Sequence, residues 1–131
     1  MNWKLIFSLS LFGLFMAVGT VYFIPSNIEP VFWIAILLID AFLIAKFASG
    51  KYFMHGLLTC LGNCIWVTGT HVLLFSAYIV GHADEMKMIA SGPLATHPRL
   101  MMLLVGPVIG IVTGIILGLL SFGASKIVKK K

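Results

Sequence analysis

The sequence predicts an all-α membrane protein, with four transmembrane helices in an antiparallel bundle and both termini on the cytoplasmic side. Two observations lead there. Of the 131 residues, 60% are hydrophobic and only 10% charged, against roughly 25% charged in soluble domains, which excludes a water-soluble fold. The apolar residues also gather into four runs, at about 5–24, 31–48, 53–80 and 100–122. Each run can cross a hydrocarbon core of about 30 Å, which takes about 20 helical residues. The runs are continuously apolar, whereas the strands of a membrane barrel alternate over about ten residues. They leave no stretch for a separate globular unit, so residues 1–131 are expected to form a single four-span domain.

The first run follows Lys4 and reaches Ile24. That exceeds the roughly 7–15 apolar residues of a cleavable signal, and no A-x-A site precedes Pro25, so a retained first helix is expected. Pro25, Ser26, Asn27 and Pro30 mark a turn, with Pro30 placed to open the second helix in its first turn. The second run ends at Ser49, Gly50 and Lys51, a connection so short that the second and third helices must form a hairpin. Residues equally far from Gly50 then lie at similar depth, which sets Asp40 level with Cys60 and puts Asn63 one turn farther from the turn. The third run is longer than a bilayer needs and implies tilt or an interfacial first turn. The one long connection, 81–98, contains helix formers at 83–90 with Asp84 and Glu85 near their start, the pattern of a short helix. Thr96, His97 and Pro98 lead into the last run, where Pro107 is expected to produce a kink.

Positive charge sets the orientation. Lys4, Lys46, Lys51, Lys126, Lys129, Lys130 and Lys131 fall on one side of the four spans, and only Lys87 and Arg99 on the other. Lys and Arg concentrate on the cytoplasmic side, so both termini are expected there, in the inner membrane of the cell. The net charge of +5 is accounted for by topology. It calls for no nucleic-acid partner, and the basic tail is suited to anionic lipid headgroups.

Asp40 is the residue most in need of a reason. It sits near the middle of 31–48, with no other charge before Lys46. A charge at that depth costs roughly 2.5–3.5 kcal/mol on insertion scales and needs a partner, a proton or water. The third run supplies polar company. At about 100° per residue, Cys60, Cys64, His71, Tyr78 and His82 share one face, with Asn63 and Thr68 at its edges. Asp40, Asn63, His71, Cys60 and Tyr78 therefore form a candidate interior site for a proton, an ion or a polar solute. The alternative is interhelical bonding that only fixes the packing, at about 0.6–2 kcal/mol per bond.

The last run carries Gly106, Gly110, Gly114 and Gly118 at every fourth position. In lipid the hydrophobic effect does not hold helices together, and such a stripe lets backbones approach closely, within the chain or between copies. Cys60 and Cys64, one turn apart on a helix, have Cβ atoms about 5–6 Å apart, too far for a disulfide. A haem held by two histidines meets an obstacle, because eleven helical residues would separate His71 from His82 by about 16 Å. His82, Asp84 and His97 near the long connection are weak metal candidates without a recognisable spacing.

No catalytic constellation and no cofactor are expected. The leading expectation is a small non-enzymatic membrane protein, a packing or accessory subunit in a homo-oligomer or larger complex whose immediate partner is the lipid bilayer. A proton-coupled transporter of a small solute or ion using Asp40 is the alternative, and a membrane haem or redox protein the third.

Overall fold

A computed structural model describes residues 1–24, 27–92 and 96–128. The turn residues Pro25 and Ser26, and Lys129, Lys130 and Lys131 of the basic tail, lie outside the described residues. The order of elements is α1 (Trp3–Tyr22), α2 (Glu29–Phe47), α3 (Tyr52–Leu73), α4 (Phe75–Gly81), α5 (Ala83–Ala90) and α6 (Pro98–Ser125), with no strand among the described residues. Four of these, α1, α2, α3 and α6, are long and apolar enough to cross a membrane.

The distribution of side chains is that of a protein in lipid. Ser10, Thr20, Asp40, Thr59, Asn63, His71 and Ser121 are buried, while Phe15, Ile65, Leu73, Val108 and Leu119 are exposed. The most apolar helix, α6, is also the least buried, the reverse of what a helix does when water drives its packing.

Local chemistry explains the helix ends. Asn2 caps α1, its Oδ1 accepting from the Leu5 amide at 3.1 Å. Between α2 and α3, Gly50 takes a φ of 155° and Lys51 a φ of 50°, and glycine is the residue that enters the first of these conformations without strain. His55 then ties the turn to α1. Its Nδ1 donates to the Lys51 carbonyl at 2.9 Å, and its Nε2 accepts from the Asn2 amide at 3.1 Å. One donor and one acceptor are met by a neutral ring, so His55 is a structural clip.

The single helix expected over 53–80 is corrected. It breaks at Leu74, whose backbone (φ −103°, ψ 33°) ends α3 and starts α4. The Leu74 amide still closes on the Thr70 carbonyl at 2.8 Å, and the Leu74 carbonyl accepts from both Ala77 and Tyr78, so the chain changes direction without stranding its backbone groups.

Helix α3 is central, packed against α6 on one side and α1 on the other, with α2 closing onto α6. Along α6, Gly106, Gly110, Gly114 and Gly118 meet Thr68, Cys64, Leu57 and Phe53 of α3 in turn. The two backbones come closest at Gly56 and Gly118, where a Cβ on Gly56 would lie 2.6 Å from the Gly118 nitrogen. The α1 seam uses small residues as well. A Cβ on Gly62 would lie 2.8 Å from the Ser10 Cβ, and one on Gly13 would lie 2.7 Å from the Asn63 Cα. Helix α2 buries only Asp40, Ala41, Ile44 and Ala45, all in its second half.

These contacts predict opposite outcomes for two glycines of one helix. Gly56→Ala drives a methyl into backbone that cannot yield and should lower stability by about 1–3 kcal/mol. Gly69→Ala meets nothing within 4 Å and should leave stability unchanged or raise it, since alanine favours helix by about 0.8–1 kcal/mol over glycine. Thermal unfolding of the two variants in detergent checks this, and equal losses would refute the seam.

Candidate functional site

The half-attachment of α2 creates the site. Ala41, Ala45 and Ala48 are small enough to let its second half settle into the bundle, where Ile44 is fully buried and packs with Leu9, Cys60 and Leu117. Toward its start α2 presents Trp33, Ile34 and Leu37, and these line a cavity of about 670 Å³ between α2, α3 and α6. Met101, Val105 and Ile109 form the α6 wall, and Tyr78 and Glu85 lie where α4 and α5 border it.

Four of the five residues expected to form the interior site, Cys60, Asn63, His71 and Tyr78, line this cavity. The fifth, Asp40, does not. It is fully buried, one helical turn along α2 from Leu37 of the lining. Among the described residues neither Asp40 oxygen has a hydrogen-bond partner. Thr59 and Asn63 of α3 are also buried with their polar side-chain atoms unmet among the described residues. Lys46 turns away, its Nζ 5.7 Å from the ring centroids of Phe42 and Phe47. Each unmet buried group costs about 1–3 kcal/mol, so three of them near one depth call for a reason.

The other polar groups of the cavity are satisfied. Cys60 and Cys64 are free thiols. Cys64 lies 3.7 Å from the Thr68 hydroxyl, and the Thr113 hydroxyl donates to the Ile109 carbonyl at 2.8 Å. His71 Nε2 donates to the Thr20 hydroxyl at 2.7 Å, which itself donates to the Ala17 carbonyl at 3.1 Å.

At the other end of the cavity the break at Leu74 folds three rings together. Tyr78 stacks on His71 at 4.1 Å and on His82 at 4.0 Å between ring centroids. The separation of about 16 Å expected for His71 and His82 is therefore corrected: their rings lie 6.4 Å apart, because the helix joining them is not continuous. His82 is fully buried and ties α4 to α2. Its Nδ1 lies 2.9 Å from the Tyr78 carbonyl and its Nε2 3.3 Å from Glu29 Oε2, while Glu29 Oε1 accepts from Trp33 Nε1 at 3.2 Å. A carbonyl and a carboxylate only accept, so both His82 contacts are hydrogen bonds together when each ring nitrogen carries a proton.

His82 is thus committed to Glu29, while Asp84 and His97 are exposed. The structure does not gather these three weak metal candidates, and no group of three or more His, Cys, Asp or Glu suited to a metal ion occurs among the described residues. Arg99 has its guanidinium 5.2 Å from the centroid of the Phe75 ring, a cation–π contact.

Sequence reasoning overlooked Thr20, Glu29 and Trp33. Glu29 and Trp33 stand four apart in the first turns of a helix, the spacing at which side chains meet, and that signal was available. No known protein family, curated protein or solved structure matches the chain, so any function rests on this geometry.

The tie between Glu29 and His82 gives a test by thiol chemistry. Cys64 is partly exposed and Cys60 only 2% exposed, so a small maleimide should modify Cys64 first. Glu29→Ala removes a charge-assisted bond of about 1.5–3 kcal/mol and should speed Cys64 labelling several-fold. Unchanged labelling in that variant, followed by mass spectrometry, would show that the tie does not restrain the cavity.

Proposed function

We infer that the protein is a non-enzymatic inner-membrane protein, crossing the bilayer four times with both termini cytoplasmic, that handles a small solute in coupling with a proton on Asp40. The observation that carries this reading is the state of Asp40: fully buried, without a partner for either oxygen among the described residues, and one helical turn along α2 from Leu37, which lines a cavity of about 670 Å³. A carboxyl group in apolar surroundings must hold a proton or be met by water or a cation. A group that alternates between those conditions is what proton coupling requires, and the neighbouring cavity offers the solute a place.

The opposed positions of Lys and Arg support the orientation. The order in which α6 meets α3, with the start of one helix beside the end of the other, supports the antiparallel arrangement. A packing or accessory subunit is the second reading. The exposed apolar length of α2 at Val31, Ile34 and Leu38 supports it, because these residues stay largely uncovered among the described residues. The glycine stripe lends it nothing, being occupied by α3 of the same chain.

The coupling reading can be tested without knowing the solute, by infrared difference spectroscopy of the protein in lipid films stepped through pH. Asp40→Asn keeps nearly the same shape and should fold, but should lack one reversible carboxylic-acid C=O band that the parent protein shows. A difference spectrum identical in the two proteins would eliminate proton coupling at Asp40.

A further inference from the structure

The cavity has a chemistry specific enough to name the class of its ligand. Its volume of about 670 Å³ falls within the roughly 300–1,000 Å³ of small-molecule sites, which are mostly apolar with a few placed polar groups. Here the walls are the Trp33 ring and the apolar side chains of α6, among them Met101, Val105 and Ile109.

The placed polar group is Asn63. It lines the cavity and is only 4% exposed, and among the described residues neither its Nδ2 nor its Oδ1 has a partner. Its Oδ1 end is turned to α1, where it would lie 2.8 Å from a Cβ on Gly13. The N–H end is therefore the part available to an occupant, and it can only donate. Of the groups beside it, the Cys64 thiol is engaged with the Thr68 hydroxyl and the Thr113 hydroxyl with the Ile109 carbonyl.

Charge narrows the class further. Glu85 is the one charged side chain among the described residues of the lining, and it has an interaction of its own. An anionic head at Asn63 would find no cation there. A cationic head at Asn63 would find no free carboxylate there, since Asp40 is not part of the lining and Glu85 of α5 is already engaged.

We propose that this cavity binds an uncharged, largely apolar molecule whose single polar head is an acceptor oxygen, a hydroxyl or carbonyl, seated on the Asn63 amide with the apolar body between Trp33 and α6. This deepens the transport reading by naming the substrate class and rests on that reading for what is carried. Occupancy of the site is measurable without any flux.

The chain has three tryptophans, and Trp66 bonds to Ser10 on α1 at 3.3 Å, away from the cavity. Trp3→Phe with Trp66→Phe leaves Trp33 as the sole indole of the full-length protein. The probe is ω-bromoundecanol, whose bromine quenches tryptophan, compared with ω-bromoundecanoate and ω-bromoundecyl-trimethylammonium in the same detergent. The alcohol should quench Trp33 saturably and be displaced by plain undecanol, while the two charged analogues give only the linear quenching of micelle partitioning. Asn63→Leu should weaken the saturable phase about tenfold, as loss of one buried hydrogen bond implies. Val105→Phe, which fills the cavity and leaves Asn63 untouched, should abolish it.

Linear quenching by all three probes overturns the proposal. So does a saturable alcohol phase indifferent to both variants, or saturable ammonium binding lost in Asp40→Asn, which would make Asp40 the anchor of a cation site. Saturable alcohol binding in a protein whose infrared spectrum shows no Asp40 band upholds the site and removes only the proton-coupled transport reading.

Discussion

The contact between Gly56 of α3 and Gly118 of α6 is the constraint from which the rest of the architecture follows. A Cβ on either residue would fall within 3 Å of the facing helix, so the two backbones touch with no side chain between them. Dispersion falls off steeply with distance, and in lipid it does the work that water does for soluble cores. A helix pair held that closely leaves no room for a third helix on the same face. Helix α1 therefore takes the other side of α3, and α2 must find its place against α6. It does so with Ala41, Ala45 and Ala48 and is held off elsewhere by bulkier residues, so the cavity is a consequence of where α2 is small.

The same fold treats its histidines in different ways, and the difference separates structure from candidate function. His55 has one donor and one acceptor facing its two nitrogens and no unmet demand. His71 bonds to Thr20 and stacks on Tyr78. His82 faces acceptors on both sides and spans two elements. Burial alone does not mark a site, since all three are buried. What distinguishes Asp40, Thr59 and Asn63 is burial without partners, a condition that folding tends to remove unless something retains it.

Much of the framework was legible in the sequence because it rests on patterns with one physical meaning. Uninterrupted apolar runs gave the four long helices, and Ser49, Gly50 and Lys51 gave the turn. Asp84 and Glu85 marked the start of the short helix Ala83–Ala90. The break at Leu74 was not legible, because 72–80 reads as apolar helix with neither Gly nor Pro to interrupt it before Gly81. Its support is tertiary, a stack of three rings that no periodicity encodes. The small face of α1, with Ser10, Gly13, Ala17 and Thr20 at spacings of three and four, was readable but lacked the regularity of the α6 stripe. The pairing of Glu29 with His82 joins residues 53 apart in the chain, beyond any local pattern.

The unmet polar groups bear on how rigid this protein can be. Three of them at about 1–3 kcal/mol each amount to a large part of a stability that for most proteins is only about 5–15 kcal/mol. A chain free to repack would give these buried groups partners. The seams oppose that. Asn63 is wedged against Gly13, where a Cβ would lie 2.9 Å from its own Cβ, and α3 cannot rotate to release it without breaking the Gly56–Gly118 contact. Asp40 is on the one spanning helix that buries only its second half. The partner that would satisfy it must therefore come from movement of α2 or from outside the chain, and the cavity lies where either would have to enter.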